Sequence, residues 1–447
     1  MQITNAEQII DKAKFNKKFH GMLLFWGAML MMFDGFDLTV YGAVVPTLME
    51  EWNISSIEAG MIGSYALFGM MFGAFIFGTL ADKLGRKKVI LICTFIFSFF
   101  MLLSGLTHNP DLFGVFRFIT GLGLGGVFPN VIALISDYSP KPVRSRMVAT
   151  IMAGYAIGGI VAALLSIFFI PTFGWQSVFI FGALPLLFLP FLAKSLPDTV
   201  GSYLSRKEDS KIKEILIKID PFYTPTENEQ LIMNPVKKTS SPITSLFAEN
   251  RSLTTIMFWI TFFMSLIMIY GLNTWLPKLM NEAGYPLGSS LTFLLALNIG
   301  ATVGSVLMGW LADSWGAKRA IIMFYLIAAV TISSLGFATN MILLYVLVAL
   351  AGATTMGTQN LTNAYISQYY PASIRSTGLG WASGIGRIGG ILGPTIGGIL
   401  LASSLELQLN FMVFAIPGLI AALAVFFTDR KAKQTFVSEQ EFESVLK

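Results

Sequence analysis

Charge is what this sequence has least of. Only 12% of its 447 residues are Asp, Glu, Lys or Arg, against about 25% in an ordinary soluble domain, while 54% are hydrophobic and the mean hydropathy is +0.69. That balance excludes a soluble globular enzyme as the first reading. Cysteine is nearly absent: Cys93 stands alone inside an apolar run, so no intramolecular disulfide can form. Histidine is almost as rare, with His20 and His108 only. One thiol and two imidazoles give no metal cluster and no nucleophile-and-base set, and no stretch is long enough for a separate catalytic domain. The chain is therefore expected not to be an enzyme and to need no cofactor.

What the sequence does have is long apolar runs. Twelve of them reach the roughly 18 residues that let a helix cross a bilayer while satisfying its own backbone: 20–46, 57–80, 88–106, 112–136, 147–170, 174–195, 252–277, 288–312, 319–337, 341–366, 376–401 and 408–428. These are spans 1 to 12. The first is too long for a signal-peptide core and no small-x-small cleavage site follows it, so it is expected to remain. The cations lie in alternate loops: Lys12, Lys14, Lys17 and Lys18 before span 1, Lys83 to Lys88 after span 2, Lys141, Arg144 and Arg146 after span 4, then Lys318, Arg319, Arg375, Arg430, Lys431 and Lys433. The opposite loops hold only Lys278, among Glu50, Glu51, Asp111, Glu282 and Glu406. By the positive-inside rule both termini are cytoplasmic, in a multi-pass protein of the cell membrane. The net charge of +5 follows from this sidedness and gives no reason to expect nucleic-acid binding.

Residues 196–251 are the one long polar stretch and divide the spans six and six. The predicted organisation is a cytoplasmic segment 1–19, a bundle 20–195, a cytoplasmic central loop 196–251, a second bundle 252–428 and a cytoplasmic tail 429–447. The halves repeat. "GTLADKLGRKKV" at 78 returns as "GWLADSWGAKRA" at 309, "ISDYSPKPVRSR" at 135 as "ISQYYPASIRST" at 366, "PTLMEE" at 46 as "PKLMNE" at 277, and "IGGI" at 157 again at 388, all shifted by 231. Parallel duplicates of this kind predict an all-α membrane protein of two pseudo-symmetric six-helix bundles. Substrate is expected between them near the midplane, with alternating access by rocking.

"GTLADKLGRKK", with Gly78, Asp82, Gly85, Arg86 and Lys87, resembles the loop signature between spans 2 and 3 of the major facilitator superfamily, and "RFITGLGLGG" resembles its span 4 pattern. More narrowly, "DGFD" in span 1, "GWQSVF" at 174 and "YYPASIRSTGLGWASGIGRIGGILGP" at 369–394 resemble the aromatic acid:proton symporter family, the benzoate and 4-hydroxybenzoate type. The resemblance implies proton-coupled import of a benzoate-like carboxylate. One departure is that the second loop has Ala317 and Lys318 where the first has Arg86 and Lys87.

Four charges fall deep in the spans: Asp34, Asp37, Arg117 and Arg387. Each costs about 2.5 to 3.5 kcal/mol at a helix centre, so each should face a cavity or a partner. Asp34 and Asp37 are three apart and share a helix face, with Gly35 between them allowing a close approach. Two carboxylates so placed repel, and burial disfavours their charge, so one should hold a proton more tightly than it would in water. That is the requirement for a proton carrier, with Arg117 stabilising the anion once the proton leaves. The alternative is a structural ion pair with Arg117. Arg387 offers a planar fork for a carboxylate and is the candidate clamp for the substrate anion, with Trp381, Tyr270, Asn273, Asn298, Gln359 and Asn363 as possible lining groups. Singly, the amides are as well explained as glue between helices.

The loop residues Gly78, Asp82, Gly85, Arg86 and Lys87, with Asp137, Arg144, Asp313 and Arg375, form a candidate cytoplasmic gate. "GLGLGG" and "GIGRIGG" satisfy GxGxxG, but they lie inside apolar spans with no preceding strand. They predict helix crossings, through Gly121 and Gly125 or Gly386 and Gly390, and no dinucleotide site. "SKIKEILIKID" in the central loop predicts a helix lying in the membrane interface. The function expected is uptake of an aromatic carboxylate with a proton by a chain working as a monomer. Nicotinate or a sugar acid is an alternative cargo. A drug:proton antiporter is less favoured, because "GPTIGG" occurs in span 11 while span 5 reads "AIGGIVAALL".

Overall fold

A computed structural model describes residues 2–206, 208–220, 223–225, 229–233, 243–371, 374–403 and 405–429. Among these, twelve helical spans are long and apolar enough to cross a membrane: Lys17–Trp52, Ser56–Leu84, Arg86–Leu106, Pro110–Tyr138, Arg144–Phe173, Gln176–Ser195, Ser252–Glu282, Leu287–Ala312, Ala317–Leu335, Met341–Tyr369, Arg375–Ala402 and Leu407–Phe426. Their large outward side chains are apolar, Phe75 and Trp310 among them at 69% and 75% exposure. Faces so apolar belong in lipid.

Local chemistry sets the ends. Asn16 caps span 1 by accepting from the Lys18 and Phe19 amides, and Ser55 and Glu58 form a capping box at span 2. Asn109 caps span 4 and Asn340 caps span 10, the same position of the two repeats. Span 6 is broken between Gly182 and Pro185, since a proline has no amide to continue the ladder.

The chain forms two compact units, Met1–Val236 with Tyr285–Leu295, and Lys237–Gly284 with Ala296–Lys447. Inside the first, span 1 crosses span 5 and span 2 crosses span 4 backbone to backbone. A Cβ on Gly35 would strike the Tyr155 carbonyl and one on Gly158 that of Met32; Gly69 faces Phe118, Gly73 faces Leu122, and Gly121 faces Ala66. Inside the second unit four of these five contacts recur, Gly389 on Phe263, Gly300 on Ala349, Gly304 on Ala353 and Gly352 on Leu297. Both members of each pair are displaced by 231, the offset of the sequence repeat. Gly386 and Gly390 do not cross a backbone; they receive the side chains of Phe262 and Leu266 and of Tyr270, while the crossing itself runs through Gly389.

The polar segments flanking the first bundle are folded onto it. Gln2–Asn5 pairs in parallel with Glu229–Ile232, and the helix Ala6–Lys12 packs against the helix Asp209–Ile219. The latter is the expected interfacial helix, and the structure corrects that expectation: Ile212, Ile215, Leu216 and Ile219 are buried in one cluster with Ile10, Phe19, Leu23 and Tyr138. Its apolar stripe is covered by protein, and of the helix's apolar side chains only Ile217 is left exposed. The tail from 430 lies outside the described residues.

Candidate functional site

Span 1 carries Asp34 and Asp37 on one face, each 2% exposed. Gly35 between them serves the crossing with span 5, so the close approach there is made by a helix. Asp37 forms an ion pair with Arg117 of span 4, through Oδ1 and Nη1. The guanidinium lies over the Tyr41 ring, 5.5 Å from its centroid, and over the Phe179 ring at 5.9 Å. Tyr41 in turn donates its hydroxyl to the Ala59 carbonyl of span 2. A carboxylate and a guanidinium, both almost wholly withdrawn from solvent, are stable only as a pair or with one charge neutralised.

The second unit holds the other candidates. Arg387 is half-buried in span 11. Tyr270 of span 7 lays its ring against Gly390, three residues along span 11 from Arg387 and so on nearly the same face. Trp381 stacks instead on Trp259, with centroids 6.0 Å apart and planes at 29°; six residues separate it from Arg387, which turns it to a different side of the helix. Asn273 is buried and donates Nδ2 to the Ile269 carbonyl at 3.3 Å, leaving its Oδ1 without a hydrogen-bond partner among the described residues, as is the Oε1 of Gln359. Asn298 is buried and Asn363 half-buried.

At the basic end of the first bundle, Gly85 turns the chain between spans 2 and 3 at φ +90°, a conformation that favours glycine. Arg86 reaches Asp137 at 3.4 Å, and Arg144 pairs with Asp11 of the amino-terminal segment. Lys87 contributes its backbone amide, donated to Asp198 at 3.3 Å. Asp198 is the centre of this cluster: buried, it also accepts from the Thr199 amide at 2.9 Å and the Ser202 hydroxyl at 3.0 Å and pairs with Arg206 at 3.2 Å. Arg206 closes the loop by donating to the Leu84 carbonyl at the end of span 2. His20 bridges the Asn16 amide and the Tyr138 carbonyl, and the Tyr138 hydroxyl donates to the Asp198 carbonyl. Sequence reasoning singled out neither Asp198, Arg206 nor His20. The one available signal was an acidic residue directly after the last apolar run of the first half. Gly78 has open space around its Cα. Asp82 is exposed and makes no ion pair among the described residues.

In the second bundle Gly316 repeats the turn at φ +84°, but Lys318 donates to the carbonyls of Phe426 and Thr428 at the end of span 12, a cation at a helix carboxyl end. Arg375 opens span 11 and is exposed; the side chain of Asp313 lies outside the described residues. Just past span 10, burial raises the Tyr370 phenol above its ordinary range, partly offset by its hydrogen bond with Thr255.

Comparison with known proteins bears on all of this. The model of the Major Facilitator Superfamily matches residues 27–304 and 294–447. The chain is 42% identical over 438 residues to the benzoate transport protein of Acinetobacter baylyi, covering 96% of this chain and 94% of that protein. It is 38% identical over 403 residues to the gentisate transporter of Corynebacterium glutamicum, covering 89% and 85%. A solved structure of the xylose transporter XylE from E. coli, in an inward open conformation, superposes with a TM-score of 0.75 at 18% identity over 95% of this chain and 99% of that one, a likeness of fold alone. Twelve spans in two duplicated bundles, the loop signature at Gly85 and these matches agree that the chain belongs to the major facilitator superfamily.

Proposed function

We propose that this protein imports an aromatic monocarboxylate together with a proton across the cytoplasmic membrane, working as a single chain with both termini in the cytoplasm. The observation that carries the reading is the Asp37–Arg117 pair: a carboxylate buried beside a fixed cation in the middle of a membrane-spanning bundle, with a second buried carboxylate, Asp34, one turn away. Protonation of the span 1 carboxylates weakens the hold of Arg117, and loss of the proton restores it. That couples one proton to a rearrangement of the first bundle. Arg387 as a carboxylate clamp, with the Tyr270 ring against Gly390 one turn along span 11 as an aromatic face in the second bundle, suits a flat anionic ring. The names of the relatives, transporters of benzoate and of gentisate, support an aromatic acid as the cargo and transport as the activity.

The test is counterflow and net uptake of labelled benzoate, gentisate and nicotinate in proteoliposomes with an imposed pH gradient. Accumulation of an aromatic acid, inside alkaline and abolished by a protonophore, is expected. Uptake that ignores the gradient removes the proton, and failure to move any carboxylate removes the cargo.

A further inference from the structure

The segment "GWQSVF" at 174–179 is given no part in the transport scheme, yet it ends on a side chain that touches the coupling pair. Gly174 closes span 5 at φ +79°. Trp175, buried, donates its indole N–H to Glu51 Oε2 at 2.6 Å and meets Trp52, Phe113 and Phe179 edge-on with centroids 5.2, 5.8 and 5.9 Å apart. Phe179, one turn further on and 0% exposed, is thereby held over the Arg117 guanidinium, whose other ring neighbour is Tyr41. Arg117 gives Nη1 to Asp37, and its Nε finds no acceptor among the described residues. Ring faces therefore stand where hydrogen-bond acceptors would ordinarily surround a buried arginine.

We infer that Phe179 and Tyr41 are positioning residues for proton coupling, a π cradle that stabilises Arg117 while Asp37 is protonated and so sets the pH at which the pair opens. The inference rests on the coupling reading given above. Its physical basis is a difference between two states. With Asp37 ionised, the guanidinium charge is largely offset by the carboxylate and the rings add little. With Asp37 protonated, an unshed positive charge is left in a dry site, and attraction to an aromatic face is strongest when the cation is desolvated and unpaired. The rings thus favour the protonated state and raise the pH at which uptake is half-maximal. Among the other titratable groups on the elements around the pair, Asp34 and Tyr41 lie one turn either side of Asp37 on span 1, and Glu50 and Glu51 end that span. Glu58 caps the start of span 2 with Tyr65 two turns on, Asp111 lies two turns before Arg117 on span 4, and Tyr155 of span 5 crosses Gly35. Lys17, Lys18 and His20 open span 1, and Asp82, Lys83, Arg86, Lys87, Lys88, Asp137, Arg144, Arg146 and Lys194 lie at the basic ends of spans 2 to 6.

Fluorination drains the ring face without changing its shape appreciably, so the decisive experiment places mono-, di- and trifluorinated phenylalanine at position 179 by nonsense suppression. The half-maximal pH of proton-driven uptake is read in each, with Phe179→Leu and Phe179→Tyr alongside. The midpoint should move to lower pH in step with fluorination and by about one unit in Phe179→Leu, and return toward the wild-type value in Phe179→Tyr. A midpoint that stays fixed while the maximal rate falls would mean that Phe179 only fills space, and the inference is then overturned although coupling stands. Wild-type uptake with no pH dependence would overturn the coupling reading and the cradle with it.

Discussion

A buried arginine cannot lose its charge, whereas a buried aspartate can, and this asymmetry makes the two halves of the Asp37–Arg117 pair respond differently to substitution. Asp37→Asn strands the guanidinium and should cost stability on the scale of a broken buried pair, about 3 to 5 kcal/mol less whatever the rings return. Arg117→Gln strands a carboxylate that takes up a proton instead, so its cost should shrink as pH falls. Melting of the detergent-purified variants at two pH values checks this: Arg117→Gln should gain on the wild type at the lower pH, and Asp37→Asn should not. In transport, Asp34→Asn and Asp37→Asn should each be assayed for accumulation against exchange. The variant that keeps exchange but loses proton-driven accumulation identifies the carrier of the pair. The sequence made these charges conspicuous, because acids in an apolar run stand out. It left two acids as partners for one arginine, and the choice of Asp37 for the pair is a fact of how spans 1 and 4 pack.

At the scale of elements, the helix crossings are the most sharply defined feature. Gly69 and Gly300 occupy the same place in the repeat and each lets a carbonyl of the facing helix come against its Cα. Valine at either position should disrupt the bundle, visible as loss of monodisperse protein, whereas valine at Gly78, with open space around it, should be tolerated. A second element-level prediction concerns Asp198. Asp198→Ala removes the carboxylate partner of Arg206 and leaves the Lys87 and Thr199 amides and the Ser202 hydroxyl without the acceptor they share and should lower stability by about 1 to 3 kcal/mol. Increased proteolysis of the segment after span 6 would report it. The repeat and the spans were legible in the sequence since hydrophobic length and recurring motifs are local properties. The burial of Ile212, Ile215, Leu216 and Ile219 was not: an amphipathic stripe states that it needs an apolar partner without saying whether lipid or protein supplies it.

For the whole molecule, sidedness is the property most open to direct test. Cys93 is fully buried in span 3 and serves as a silent background. A membrane-impermeant maleimide applied to intact cells should label Asp111→Cys, exposed at the start of span 4, and should leave Lys83→Cys, exposed at the end of span 2, unmodified until the cells are opened. The reverse pattern would invert the topology and with it the direction of the proposed coupling.

Composition, apolar run length and a fixed repeat offset by themselves determined that this chain is a duplicated membrane bundle, because the bilayer leaves so few backbone solutions and a repeat of sequence imposes a repeat of crossings. Only the tertiary structure decided which charges meet. It joined Asp37 to Arg117, set Phe179 and Tyr41 over that arginine, turned Trp381 onto Trp259, and gathered the span 2 to 3 loop around Asp198. Each of those contacts joins residues far apart in the chain. Their geometry depends on the rotation and depth of whole helices, which no short stretch of sequence specifies.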